Sequence, residues 1–445
     1  MLSKKSIFVF TVIIFSVIKV FCASLEPQNE PETYRISQTS DVSLGKLFDG
    51  QIYDAISSDT AILVDYIHRK MLSIDTHVDT PLRLLRGNFD LANRNNPRQG
   101  GGKLDFPRMK EGGLDAVFFA VFLVQGSLNE PSYEVALRRT LEIFETIEKA
   151  LAKTTELAVL ALTPQEAYDL KSQGKRAVFL GVENAYPLGQ DISLIDKFYE
   201  LGARYIGLSH TGNNQVCDSS TDNSGPLHNG LSEFGKQVVK RMNELGMMVD
   251  VSHVSDKAFF DVLEITTLPI IASHSNARVI CNHPRNLSDQ MLVALAKNGG
   301  VVQVCVLSAY VKTLPEDPDR EQAMAELRER HNNFQDLTDA QMEAARRDWF
   351  ETDRKFPGPM ATVADLVDHI DHIVKVAGID HVGIGTDFDG GGALKDCYDV
   401  SELKNITREL IRRGYTLGDI EKIWGENFMR VFEANQKAAK MKQGW

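Results

Sequence analysis

Seven residues that bind metals or move protons occupy comparable places in this chain. His77, Asp79, Glu183, His210, His253, His274 and Asp387 each stand at the end of a short apolar run. His77 and Asp79 lie two positions apart in LSIDTHVD, residues 72–79. On a strand, positions i and i+2 face the same way, so both side chains reach one point. His-x-Asp alone is a common pair, and a lone histidine at a strand end is usually a hydrogen-bonded structural residue. Here four of the 11 histidines end such runs, beside three carboxylates at equivalent positions.

Imidazole and carboxylate together suit Zn²⁺ and its first-row neighbours without any thiolate. The donors are too many for one tetrahedral ion and suit two ions that share one carboxylate. Two such ions lower the pKa of a shared water and make hydroxide available near neutral pH. The oxyanion that hydroxide attack creates needs a positive neighbour, and the leaving group needs a proton that a nearby carboxylate can carry. Six of the other seven histidines read differently: His68, His369 and His372 sit in helical patterns, and His228, His283 and His381 in loops or at a strand start.

Ligands gathered from distant stretches need elements that converge. Eight nearly continuous apolar runs recur, at 72–79, 115–122, 176–183, 203–210, 247–253, 268–274, 299–306 and 380–387. Such runs fit parallel strands covered on both faces. Helix signals lie between them. Thr163-Pro164-Gln165-Glu166 is a capping box with proline in the first turn; Ser232 opens and Gly246 stops one helical pattern; Ser288 and Asn298-Gly299 bound another. Eight strands with helical crossovers predict an α/β fold of the (β/α)8 TIM-barrel type, with the strand C-termini facing the active site. A doubly wound sheet would want a Gly-rich phosphate turn after its first strand, and Thr80-Pro81-Leu82 is not one. Residues 312–358 are charged and helix-prone, an insertion before the eighth strand that either covers the mouth or forms a solvated face.

Residues 1–23 read as a signal peptide: Lys4 and Lys5 precede an apolar stretch, Ser6 to Ile18, too short for a comfortable membrane span. Lipid attachment at Cys22 is the alternative, disfavoured by Phe21 and Lys19. Residues 24–50 form a flexible lead-in, 51–436 the barrel and 437–445 a polar tail. The expectation is an exported protein, secreted or periplasmic, with no transmembrane segment in its mature chain. A formal charge of −12 argues against nucleic acid and anionic membrane as partners. The five cysteines include no CxxC spacing, so a cysteine metal site is not expected.

Six stretches together resemble the renal or membrane dipeptidase family, a branch of the amidohydrolase-type metal barrels. They are IDTHVDTPL, GVEN, RYIGLSHTGNN, MNELGMMVDVSHVSD, IASHSNARVICNHPRNLSD and HVGIGTDFDGG, and the tail FMRVFEANQ also fits. The resemblance implies a dipeptidase with two Zn²⁺ per chain. His77 and Asp79 would bind one, His253 and His274 the other, with Glu183 and a water or hydroxide bridging them. It also implies that His210 contacts the substrate and steadies the oxyanion, that Arg285 holds the terminal carboxylate, that Tyr310 lies on the substrate side and that Asp387 is the acid/base. Dipeptide substrates, tolerance of a D-residue at the second position and a homodimer follow from the same resemblance.

This chain departs from the family pattern in two places. Asn184-Ala185 stands where many relatives carry a Gly-rich pair after the bridging glutamate, which alters the local substrate wall. The tail for lipid attachment of mammalian relatives has no counterpart here, which argues against membrane anchoring. Two other readings compete. The first is another binuclear barrel hydrolase, a lactonase, phosphotriesterase or deaminase, which would have no need of Arg285. The second is a metal-free scaffold on the same fold, which would be expected to have lost ligands.

Overall fold

The structure, a computed structural model, describes residues 60–443 apart from 88 and 335–336. The expected signal peptide and the lead-in to residue 50 lie outside the described residues.

Eight parallel strands form a ring. They are β1 (Ile74–Val78), β2 (Ala116–Phe122), β4 (Arg176–Glu183), β5 (Ala203–Gly207), β6 (Met248–Asp250), β7 (Ile271–Ala272), β8 (Val301–Val304) and β9 (Val382–Ile384), hydrogen-bonded in that order. Beyond the end of β9 the ring meets itself: Val78 and Phe388 form a parallel bridge, the Asp79 amide donates to the Phe388 carbonyl (2.8 Å), and the Asp387 amide donates to the His77 carbonyl (2.9 Å). The architecture is the (β/α)8 type that eight apolar runs predict. A ninth strand, β3 (Ala158–Leu160), was not foreseen; it is only three residues long and pairs with β4 outside the ring.

Both strand faces are buried because they serve two cores. Outward residues such as Val117, Phe119, Val178 and Leu180 join the surrounding helices in one apolar cluster. Inward residues Ile74, Phe118, Phe179, Tyr205, Met248 and Val301 join Phe428 and Phe432 from the C-terminal helix Asn427–Gln443 in another. The Phe118 ring lies 5.0 Å from Phe179, 5.1 Å from Tyr205 and 5.3 Å from Phe428. Each fully buried aromatic contributes roughly 2–3 kcal/mol, so this stack makes a firm floor under the site above it. The same helix runs through most of the stretch expected to be a polar tail.

One glycine is required by that floor. A Cβ on Gly181 would fall 2.1 Å from the Tyr205 ring, and Tyr205 is the floor residue whose hydroxyl reaches the site. Gly181→Ala should therefore cost about 1–3 kcal/mol, read as a lower denaturant midpoint at unchanged slope. An unchanged midpoint would show that the ring can move aside.

The expected helix signals operate as written. Thr163 and Glu166 cap Pro164–Ser172 reciprocally; Ser232 caps Glu233–Leu245, which stops at Gly246 (φ 71°); Ser288 caps Asp289–Asn298, which stops at Gly299 (φ 83°). The segment before β9 holds the helices Pro318–Arg330 and Asp339–Lys355, joined by an Arg320–Asp353 ion pair (2.7 Å) and a His331–Asp348 hydrogen bond (2.9 Å). Within Pro318–Arg330 the buried residues are Met324 and Leu327, so its remaining surface is at least partly solvated. No described helix is long and apolar enough to cross a membrane.

Candidate metal centre

The seven chemistry-bearing residues meet at the C-terminal mouth of the ring. His77 and Glu183 lie within strands. The others follow their strands, Asp79 by one residue, His274 by two, and His210, His253 and Asp387 by three. The apolar runs are thus longer than the strands, because the backbone turns at the site. Asn184, His253, Asp387 and Asp389 all have positive φ (75°, 72°, 61° and 68°). Non-glycine residues hold that conformation only where their surroundings over-determine it, and such residues cluster at functional sites.

Glu183 is the centre of the cluster. Its Oε2 lies 3.4 Å from His77 Nε2, and its Oε1 lies 3.2 Å from His253 Nε2 and 3.6 Å from His274 Nε2. His77 Nε2 is 3.6 Å from Asp79 Oδ2, and the Nε2 atoms of His253 and His274 are 2.8 Å apart. One carboxylate oxygen therefore faces the His77–Asp79 pair and the other faces the His253–His274 pair. Three overlapping sets have ligand atoms within 4.8 Å of one another: His77, Glu183 and His274; Glu183, His210 and His253; and His77, Asp79 and Asp387. His77 Nε2 and Asp79 Oδ1 are buried without a hydrogen-bond partner. Leaving such groups unsatisfied costs about 1–3 kcal/mol each, and converging imidazole and carboxylate lone pairs are the donor set of a divalent cation.

The electrostatics agree with that donor set at Glu183, His253 and His274; at His77 burial pushes the imidazole down, but Tyr205, Glu183 and Asp79 outweigh it and hold the group well above its ordinary value. Burial pushes the Glu183 carboxyl up, but His77, His210 and His253 outweigh it and hold the group well below the usual range. Burial first, then Arg285, pushes His253 well down; burial, then His77 and Arg285, does the same for His274. Neutral imidazole is the form that binds a cation. His210, set against Phe122 (4.7 Å between ring centres), lies 3.6 Å from Glu183 Oε1 and keeps 25% of its side chain exposed, so it is the member open to a substrate.

Asp387 sits among the carboxylates. Burial, then Asp79, pushes its pKa well above the ordinary value, against the pull of His77. A carboxyl with a raised pKa takes up a proton more readily and can give it back, which suits an acid/base group. A Cβ on Gly390 would fall 2.2 Å from Asp387 Oδ1 and 2.1 Å from Asp79 Oδ2, so the glycine after Asp-Phe-Asp makes room for both carboxylates. Asp389, the other aspartate of that stretch, is occupied elsewhere: it accepts from Thr80 Oγ1 (2.9 Å), Arg83 Nε (3.0 Å) and the Lys103 amide (3.0 Å).

Arg285 is buried beside the cluster. Its Nη2 donates to the His274 carbonyl (3.0 Å) and its Nη1 to Ser275 Oγ (3.4 Å), while Nε is buried without a partner. Its guanidinium carbon lies 5.5 Å from the centre of the Tyr310 ring, on the short helix Ser308–Val311. A guanidinium held this way presents a preorganised fork for an anion.

Sequence reasoning passed over the layer below. Tyr205 Oη lies 2.9 Å from His77 Nδ1, and Ser273 Oγ lies 2.9 Å from His274 Nδ1 and donates to Asp250 Oδ2 (2.6 Å). The signal was present in MMVDVSH, where Asp250 is an acid in an otherwise apolar strand. Asn184 occupies the left-handed position after Glu183, conformational space that asparagine tolerates better than most residues. It ties the end of β4 to Gln125 and Asn214 through hydrogen bonds of 3.0 and 2.7 Å.

A parallel barrel whose strand ends deliver such a donor set fits the class of metal-dependent barrel hydrolases. Residues 63–444 match the model of the family described as membrane dipeptidase, peptidase family M19. An uncharacterised dipeptidase of Schizosaccharomyces pombe is 31% identical over 82% of this chain and 81% of its own length. The dipeptidase tcpJ of Claviceps purpurea is 28% identical over 77% of this chain and 72% of its own. The crystal structure of the probable dipeptidase PvdM from Pseudomonas aeruginosa superposes with a TM-score of 0.72 at 32% identity, covering 84% of this chain and 98% of that one. The chain belongs to the membrane dipeptidase family.

Proposed function

We propose that this protein is a zinc-dependent dipeptidase that holds two Zn²⁺ per chain and hydrolyses the peptide bond of free dipeptides. The observation that carries the reading is the division of Glu183, one carboxylate oxygen toward His77 and Asp79, the other toward His253 and His274. His77 and Asp79 would hold one ion and His253 and His274 the other, with Glu183 shared between them. When bound, the ions supply an acidified water and a positive neighbour for the developing oxyanion.

The chain's own residues do the rest. Arg285 takes the substrate's terminal carboxylate on its free edge, which orients the scissile bond. His210, at the open side, donates to the carbonyl oxygen as negative charge develops there. Asp387 accepts a proton from the attacking water and passes it to the leaving amine nitrogen. A terminal carboxylate is common to both configurations of the last residue, which supports tolerance of a D-residue at the second position. The buried Arg285 favours a dipeptidase over a lactonase, phosphotriesterase or deaminase, whose neutral or differently placed substrates give it no partner. The reading includes export of the protein, secreted or periplasmic, and a homodimer.

Glu183→Ala should release both ions to a chelator, whereas His253→Ala should release one readily and keep the other. Elemental analysis after graded dialysis separates these outcomes. Retention of both ions by Glu183→Ala would remove the bridge from the account.

A further inference from the structure

The layer beneath the ligands contains two hydroxyls, each pointed at the rear nitrogen of one candidate ligand. Tyr205 Oη lies 2.9 Å from His77 Nδ1 and donates to the Thr76 carbonyl at 3.2 Å. A carbonyl can only accept, so the single phenolic proton goes to Thr76 and the oxygen is left to accept from His77 Nδ1–H. Ser273 Oγ donates to Asp250 Oδ2 at 2.6 Å, and Asp250 Oδ1 also accepts from the amides of Ser252 (3.0 Å) and Ser273 (2.9 Å). With its one proton committed to the carboxylate, Ser273 Oγ accepts from His274 Nδ1–H at 2.9 Å. In both histidines the proton is thereby placed on Nδ1, and Nε2, the atom facing Glu183, carries a bare lone pair. His253 differs, because its Nδ1 is buried without a hydrogen-bond partner.

We propose that Tyr205 and the Ser273–Asp250 pair are positioning residues that set the tautomers of His77 and His274, one for each ion. The proposal rests on the two-ion reading above and goes beyond it, since it assigns each ion a separate support. Both devices are built into the floor of the barrel. Tyr205, Ser273 and Asp250 are fully buried or nearly so, and Gly181 is a glycine because the Tyr205 ring occupies the space of a Cβ. Partners that orient a ligand histidine typically govern metal affinity by 10- to 100-fold.

Two nearly isosteric variants test this. Tyr205→Phe removes the acceptor behind His77. Asp250→Asn keeps the shape, but its amide can donate to Ser273 Oγ; the serine proton then turns to His274 Nδ1 and the histidine proton moves to Nε2, which disfavours ligation there. Full-length protein loaded with zinc would be titrated with a chelator while bound zinc is counted, and the cobalt-loaded forms would be compared by visible absorption. Each variant is expected to lose one ion about 10- to 100-fold more easily than wild type and keep the other. Each should also alter the cobalt spectrum, while the metal-stripped proteins melt together. In the double variant both ions should be weakened. Wild-type-like release of both ions, or equal weakening of both by each single variant, would overturn the assignment. Loss of affinity that simply tracks a lower melting temperature of the metal-stripped protein would overturn it too. Wild-type protein holding fewer than two ions would instead overturn the two-ion reading, and this assignment with it.

Discussion

Asp387→Asn lowers kcat by about 10²- to 10⁴-fold, the usual range for an acid/base group, while metal content and melting temperature stay near wild type. Asparagine keeps the size of the side chain but cannot relay a proton. The residue is buried against Asp79, with its carboxyl pushed well above the ordinary range by burial and by that neighbour, and it closes the barrel through the hydrogen bond its backbone amide donates to the His77 carbonyl. The backbone bond survives the substitution, so the fold should too. The matching change at Asp389 should behave in the opposite way. Asp389 fastens Thr80, Arg83 and the Lys103 backbone, so Asp389→Asn should lower the melting temperature and affect kcat much less. Normal turnover by Asp387→Asn, or loss of its metals along with its activity, would move the acid/base role to another residue.

Amidating the C-terminus of a good dipeptide substrate costs about 3 kcal/mol in kcat/KM, or roughly 10²-fold, the scale of a lost charged hydrogen-bonding partner. Arg285→Met produces a similar loss with the free acid and little further loss with the amide. The non-additivity is the diagnostic feature, because both changes remove the same contact. It follows from a guanidinium that is anchored to the His274 carbonyl and Ser275 and keeps Nε without a partner. Equal cleavage of acid and amide by the wild type would show that Arg285 serves the protein interior alone.

The parts of this molecule legible in its sequence are those written in local pattern. Eight apolar runs announce eight strands because a parallel strand buried on both faces has no polar side to show. Thr163 and Glu166, Ser232 and Gly246, and Ser288 and Gly299 mark helix ends because unpaired backbone groups need those residue types. The site was legible as a set, since histidines and carboxylates recur at run ends. The distances were not: the split of Glu183 between two ligand pairs depends on how β4 faces β1, β6 and β7 across the ring. Strand lengths were overread, because His253 and Asp387 turn into positive φ after apolar stretches that continue past the last ladder bond. Tyr205 and Ser273 escaped for a simpler reason. A tyrosine and a serine in apolar runs look like packing, and only the closed barrel sets their hydroxyls behind His77 and His274. Arg285 entered only through the family resemblance, since no local pattern marks an arginine in a loop as part of a site, and the structure buries it at 3% exposure.

The most direct test is a zinc titration of metal-stripped protein, followed by hydrolysis of an L,L-dipeptide with the matching tripeptide as control. The account predicts that dipeptide hydrolysis climbs to a plateau at about two ions per chain and that the tripeptide is spared. A plateau at one ion, or hydrolysis that does not depend on added metal, would contradict it.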